Sequence, residues 1–139
     1  MILINQVLEA VNIELNQEFY AVIGGSVHLC FISESGLYEK VDNAWLLNSE
    51  MFARLIFGDC LIIPKYKPEK GKKYYYINYD LDDIANPEKL EFLSTTFTGI
   101  ADVSRYNIGN CFSNQTEAEL CGSYVSKQIN KIWEELKWK

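Results

Sequence analysis

Lysine and tyrosine crowd one stretch, KYKPEKGKKYYYINY at residues 65–79, and arginine, tyrosine and asparagine follow in DVSRYNIGNCF at 102–112. An ammonium group beside an aromatic face suits a nucleotide or a single strand, because the cation meets phosphate while the ring stacks on a base. Lys72, Lys73, Tyr74 and Tyr76 are the candidates in the first stretch. In the second, Arg105 supplies a guanidinium fork, Tyr106 a phenol and Asn110 a carboxamide. A structural reading competes with this one. Lysines keep an exposed loop soluble, one tyrosine face of a strand is core, and Asp102 can pair locally with Arg105 while Gly109 turns the chain into a helix. Trp138, beyond the apolar stripe of the last helix, is a candidate interface aromatic.

Other chemistry is sparse. The single histidine, His28, sits in VHLCFI, where a strand side chain of modest polarity reads as structural. There is no G-x-S-x-G elbow, no phosphate-cradling G-x-x-x-x-G-K-[ST] loop and no H-E-x-x-H pair. Asp80, Asp82 and Asp83 form an acidic run, but Ile84, Ala85 and Pro87 occupy positions where a calcium loop needs oxygen ligands and a glycine. The expectation is no metal and no cofactor. Cys30, Cys60, Cys111 and Cys121 stand far apart in apolar contexts and read as buried free thiols.

The elements that must position these residues follow from period and punctuation. Leu3, Ile4, Val7, Leu8 and Val11 predict a short amphipathic helix ending near Asn12. Residues 18–24 and 27–33 predict a hairpin about the Gly24-Gly25-Ser26 turn, and LYEKV and AWLL extend the meander. Ser49 reads as the N-cap of a two-turn helix that Gly58 ends, and CLIIP as a buried strand. KYYYINY reads as a strand with Tyr75 and Ile77 on one face and Tyr74 and Tyr76 on the other. Asn86-Pro87 predicts a helix over PEKLEFL, residues 87–93, and STTFTGIA an extended segment. Asn114 and Glu117 have capping-box spacing for a helix from about Gln115 to Leu136, striped by Ala118, Cys121, Val125, Ile129, Ile132 and Leu136 with Trp133 beside the stripe. With neither repeats nor a low-complexity linker, 1–139 reads as a single α+β domain with an antiparallel sheet.

With 13 basic and 19 acidic residues the net charge is −6, which argues against a protein that coats nucleic acid with its whole surface. The start MILINQVLEAVNIEL lacks the marks of a secretory signal, and no run reaches the roughly 20 apolar residues of a membrane span. A cytoplasmic protein with no membrane partner is expected.

YKPEKGKKYYYINYD and DVSRYNIGNCFSNQTEAEL resemble a pattern in small phage and prophage proteins of low-GC Gram-positive bacteria: a W-x-P element, a tyrosine-rich strand, D-x-x-R-Y, G-N-x-F and a T-x-E-E-A helix start. Pro68, Tyr74 to Tyr76, Asp102, Arg105, Tyr106, Gly109, Asn110, Phe112, Glu117 and Ala118 carry the resemblance. Tyr66 stands where the pattern has tryptophan, Asn114-Gln115-Thr116 replaces a threonine-rich start, and the segment between Tyr79 and Asp102 is expanded. The resemblance implies a phage origin and no established reaction. The resulting expectation is a non-enzymatic binding protein that antagonises host immunity in the bacterial cytoplasm. Its target is either a defence protein such as a CRISPR effector or a nucleotide messenger held by Lys72, Lys73, Arg105, Tyr106 and Asn110. A nucleic-acid-binding module using the Lys65 to Lys73 loop is the alternative, a metal-dependent enzyme using Asp80, Asp82 and Asp83 a third class, and a homo-oligomer stays open.

Overall fold

In the structure, a computed structural model that describes residues 4–78 and 91–137, the first apolar stripe forms helix α1, Ile4–Val11, with Val7 and Leu8 buried. The chain is α+β, with antiparallel sheets and a long C-terminal helix, and its packing falls into two compact units, Met1–Lys65 and Tyr66–Lys139.

In the first unit, strands β1 (Phe19–Ile23), β2 (Ser26–Ser33), β3 (Gly36–Val41) and β4 (Ala44–Leu47) form the expected meander, and β5 (Leu61–Pro64) adds to the far side of β1. The order is β4-β3-β2-β1-β5, antiparallel throughout. Asp42 and Asn43, with φ of 49° and 69°, make the β3-β4 turn, since residues with short polar side chains tolerate the left-handed backbone that a tight hairpin requires. Between β4 and β5 lies helix α2, Ser49–Phe57, ended by Gly58 at φ 76°. Its N-cap is Asn48 and not Ser49: the Asn48 carboxamide oxygen accepts the Met51 N–H at 2.9 Å, and Ser49 is already helical. Phe19 and Ala21, Cys30 and Ile32, and Leu37 share one sheet face and form a buried cluster with Val7, Leu8, Met51 and Leu55 of the helices. Complete burial of Phe19, Ile32 and Leu37 is worth about 1.5–3 kcal/mol each. That locks the register, because a one-residue slip would turn all three to the opposite face.

In the second unit, β6 (Lys73–Asn78) pairs with β7 (Glu91–Thr96), from Lys73 opposite Thr96 to Asn78 opposite Glu91. The helix expected over residues 87–93 is corrected here. Residues 87–90 lie outside the described residues, and Glu91 to Leu93 open β7, held by the backbone ladder to β6. The extended reading of STTFTGIA holds only through Thr96. Ile100–Asn107 is a helix, α3, so DVSRY lies within a helix and is not the turn that launches one. Helix α4, Gln115–Lys137, packs on β6 and β7 within one residue of its expected ends. The Asn114 carboxamide caps it by accepting the Glu117 N–H at 2.8 Å, while the Glu117 carboxylate takes the Ser113 hydroxyl at 2.5 Å. Ala118, Cys121 and Val125 are completely buried, but the stripe emerges toward the C-terminus, where Ile132 and Leu136 are exposed. All four cysteines are free; Cys30, Cys111 and Cys121 are buried and Cys60 is half-buried.

Candidate functional site

The residues singled out for binding gather around β6, and most have found partners inside the second unit. Alternation along the strand sends Tyr74 and Tyr76 to one face, their rings 5.9 Å apart, with Phe97 5.9 Å from Tyr74 on its other side. Helix α3 brings Asp102 and Arg105 over that face. One Asp102 carboxylate oxygen accepts the Thr98 and Gly99 N–H groups at 2.8 Å each, satisfying donors that the helix start leaves orphaned. The other accepts the Tyr74 hydroxyl and, at 3.3 Å, an Arg105 N–H. The same guanidinium nitrogen donates to the Tyr74 hydroxyl oxygen at 2.9 Å, and the guanidinium carbon lies 4.0 Å from the centre of the Tyr76 ring.

This geometry sets the ionisation of the cluster. The Tyr74 hydroxyl and the two backbone amides stabilise the ionised Asp102 carboxyl and hold it at about 2. Burial, then the bond to the Asp102 carboxylate, pushes the Tyr74 phenol up to about 12. At neutral pH the pair is therefore a carboxylate and an intact phenol, with Arg105 as the local positive charge.

Asn110 acts on the edge of β6 away from β7. Phe112 and Tyr75 exchange two backbone hydrogen bonds there, each 2.9 Å. Two residues along, the Asn110 carboxamide accepts the Ile77 N–H at 2.8 Å and donates to the Ile77 carbonyl at 2.9 Å. The side chain mimics a peptide group and continues the ladder past the end of the backbone bridge. Gly109, at φ 81°, makes the turn that brings it there.

The lysines do not form one groove with these rings. Lys73 shares its face of β6 with Tyr75, its ammonium 5.1 Å from that ring's centre, and so points away from Tyr74, Tyr76 and Arg105. Lys67 stands 5.6 Å over Tyr106, and Lys72 is exposed in the loop. The cation-aromatic constellation read from the sequence is thus divided between two sides of a strand. Trp138, Asp80, Asp82 and Asp83 lie outside the described residues.

A second cluster, in the first unit, was read in the sequence only as a structural histidine. His28 is hydrogen bonded at both ring nitrogens, to Ser26 at 3.0 Å and to Glu39 at 2.6 Å. The Ser-x-His spacing puts both side chains on one strand face and is visible in the sequence. Glu39 joins them only through the β2-β3 register, in which it lies opposite Cys30.

The fold and its clusters define an α+β protein whose main polar network is internal. No family model, curated protein or solved structure matches the chain. Among the described residues no helix is long and apolar enough to cross a membrane, and no group of three side chains could hold a metal ion.

Proposed function

We propose that the chain is a binding protein that acts by stoichiometric occupation of a protein partner, and that its partner is a component of host bacterial defence. The carrying observation is the commitment of Arg105. Its Nη1 bonds Tyr74 and Asp102 and its guanidinium covers the Tyr76 ring, so part of the fork that a phosphate would use is already engaged within the protein. Asn110, the other residue expected to meet a nucleotide, spends both ends of its carboxamide on Ile77. Large apolar side chains meanwhile face solvent: Phe57 is 80% exposed in the first unit and Ile100 86% exposed in the second. Exposed large side chains of this kind are available as anchors for a partner surface to bury. The defence component is the partner class implied by the resemblance to small phage proteins.

The test is phage plating on a bacterial host that carries a nuclease-based defence system, with and without the expressed chain. Plating should rise with the wild-type chain and fall back with Phe57→Asp or Ile100→Asp, both exposed and so neutral to folding. The reading fails if purified protein releases a bound nucleotide on denaturation and the two variants protect as well as wild type. Nucleic acid binding through Lys67, Lys70 and Lys72 would instead show affinity that falls steeply as salt rises, because neutralised phosphates release counterions.

A further inference from the structure

Ser26, His28 and Glu39 occupy the same sheet face as Cys30, Ile32 and Leu37, at the rim where the apolar core meets solvent. His28 Nε2 is 3.0 Å from Ser26 Oγ, and Nδ1 is 2.6 Å from Glu39 Oε2. The remaining Glu39 oxygen accepts from Asn48 Nδ2 at 2.8 Å, and Asn48 is itself fixed as the cap of α2. A carboxylate on Nδ1 keeps the ring proton there and leaves Nε2 as an acceptor facing the serine hydroxyl. A nucleophile, a base and a group that orients the base are therefore in contact, in the order that nucleophilic catalysis needs.

The geometry points to Ser26 as a nucleophile, activated by His28 and Glu39, that takes the acyl group of small carboxylic esters. This goes beyond the binding reading and does not depend on it. Ser26 Oγ attacks the ester carbonyl as His28 Nε2 removes its proton. The bond to the leaving alcohol breaks, and His28 returns the proton to that alcohol. Water, deprotonated by His28, then attacks the acyl-serine, which releases the carboxylic acid and restores the hydroxyl.

The surroundings set the substrate size. The cleft beside the three residues has a volume of about 270 Å³ and is also lined by Ile23, Met51 and Arg54. That is just below the roughly 300 Å³ at which small-molecule pockets start, a size that suits a short acyl chain. Access is open, because Ser26 is exposed at the start of β2. The gain rests on general-base activation, worth about 100- to 10,000-fold.

The experiment combines a fluorophosphonate probe, with the labelled residue located by peptide mass spectrometry, and the initial burst of p-nitrophenyl acetate hydrolysis. Wild-type protein should carry one label, on Ser26, and Ser26→Ala should lose both label and burst. His28→Gln should slow labelling at least about 100-fold. Circular dichroism establishes that each variant is folded, and Ser26→Ala, at an exposed strand start, provides the arm least open to a folding defect. Label on any other residue, an unchanged burst in Ser26→Ala, or an unchanged labelling rate in folded His28→Gln would overturn the assignment.

Discussion

Replacing Asn110 by alanine tests whether this residue belongs to the fold or to a ligand. Its side chain holds the N–H and the carbonyl of Ile77, with Asn110 4% and Ile77 2% exposed, so solvent reaches the pair poorly. Truncation leaves one buried donor and one buried acceptor without partners, at about 1–3 kcal/mol each. The expected loss is about 2–6 kcal/mol, a large part of the stability of an ordinary domain, which is about 5–15 kcal/mol. Urea unfolding followed by circular dichroism reads the energy, and hydrogen exchange at the Ile77 amide reads its location. Asn110→Asp sharpens the test because it preserves size and the acceptor but turns a second acceptor toward the Ile77 carbonyl. Burial and that repulsion raise the folded-state pKa of the new carboxyl, so its penalty should shrink as pH falls and the carboxyl becomes a donor again. An alanine variant within about 0.5 kcal/mol of wild type, with the Ile77 amide equally protected, would refute the reasoning and return Asn110 to the list of ligand contacts.

Three further outcomes follow from the same structure. Asp102 is held at about 2 against an ordinary 3.8, so the stability it provides is complete above about pH 4 and disappears as pH falls toward 2. Thermal melts across that window should show wild type losing stability more steeply than Asp102→Asn, by up to about one proton taken up on unfolding. Burial pushes the Cys30 and Cys121 thiols up to about 12, and Cys111 is 2% exposed, whereas Cys60 is half-buried. A disulfide-exchange reagent at pH 8 should therefore modify Cys60 first in the native protein, with the other three reacting on unfolding; fast labelling of Cys30 or Cys121 would contradict the packing. Ser126 on α4 is buried, and its hydroxyl has no hydrogen-bond partner among the described residues, so Ser126→Ala should leave stability unchanged or raise it by up to about 1 kcal/mol in urea unfolding.

What the sequence disclosed and what it hid divide along the range of the forces involved. The first hairpin was legible because its apolar and aromatic residues are bounded by a glycine turn, and α4 because its stripe repeats over several turns from a local cap. Helix α3 was not legible. Of its eight residues only Asp102 is buried, and the carboxylate that satisfies its first amides is also anchored by Tyr74, 28 positions away. The Asn-Pro signal pointed to a helix over 87–93, yet the ladder to β6 decided Glu91 to Leu93, as long-range pairing does when local preference is weak. In the candidate site, the Asp102–Arg105 pair was within reach of i, i+3 reasoning. The placement of Asn110 was not, because it depends on where the backbone bridge to Phe112 stops.

The same geometry limits what a ligand can do in the stretch that carries the resemblance. For a phosphate to take over Arg105 Nη1, it must compete with the Tyr74 hydroxyl and the Asp102 carboxylate. Asp102 would keep its two backbone amides and the phenol, but it would lose the only positive charge among its described partners while 6% exposed. The cost of that rearrangement is subtracted from any affinity gained at the phosphate. A surface contact at Phe57 or Ile100 carries no such penalty, since those side chains give up only water on binding. Recognition through exposed apolar residues is thus compatible with the internal network as it stands, whereas recognition through Arg105 Nη1 competes with the clasp that holds α3 to β6.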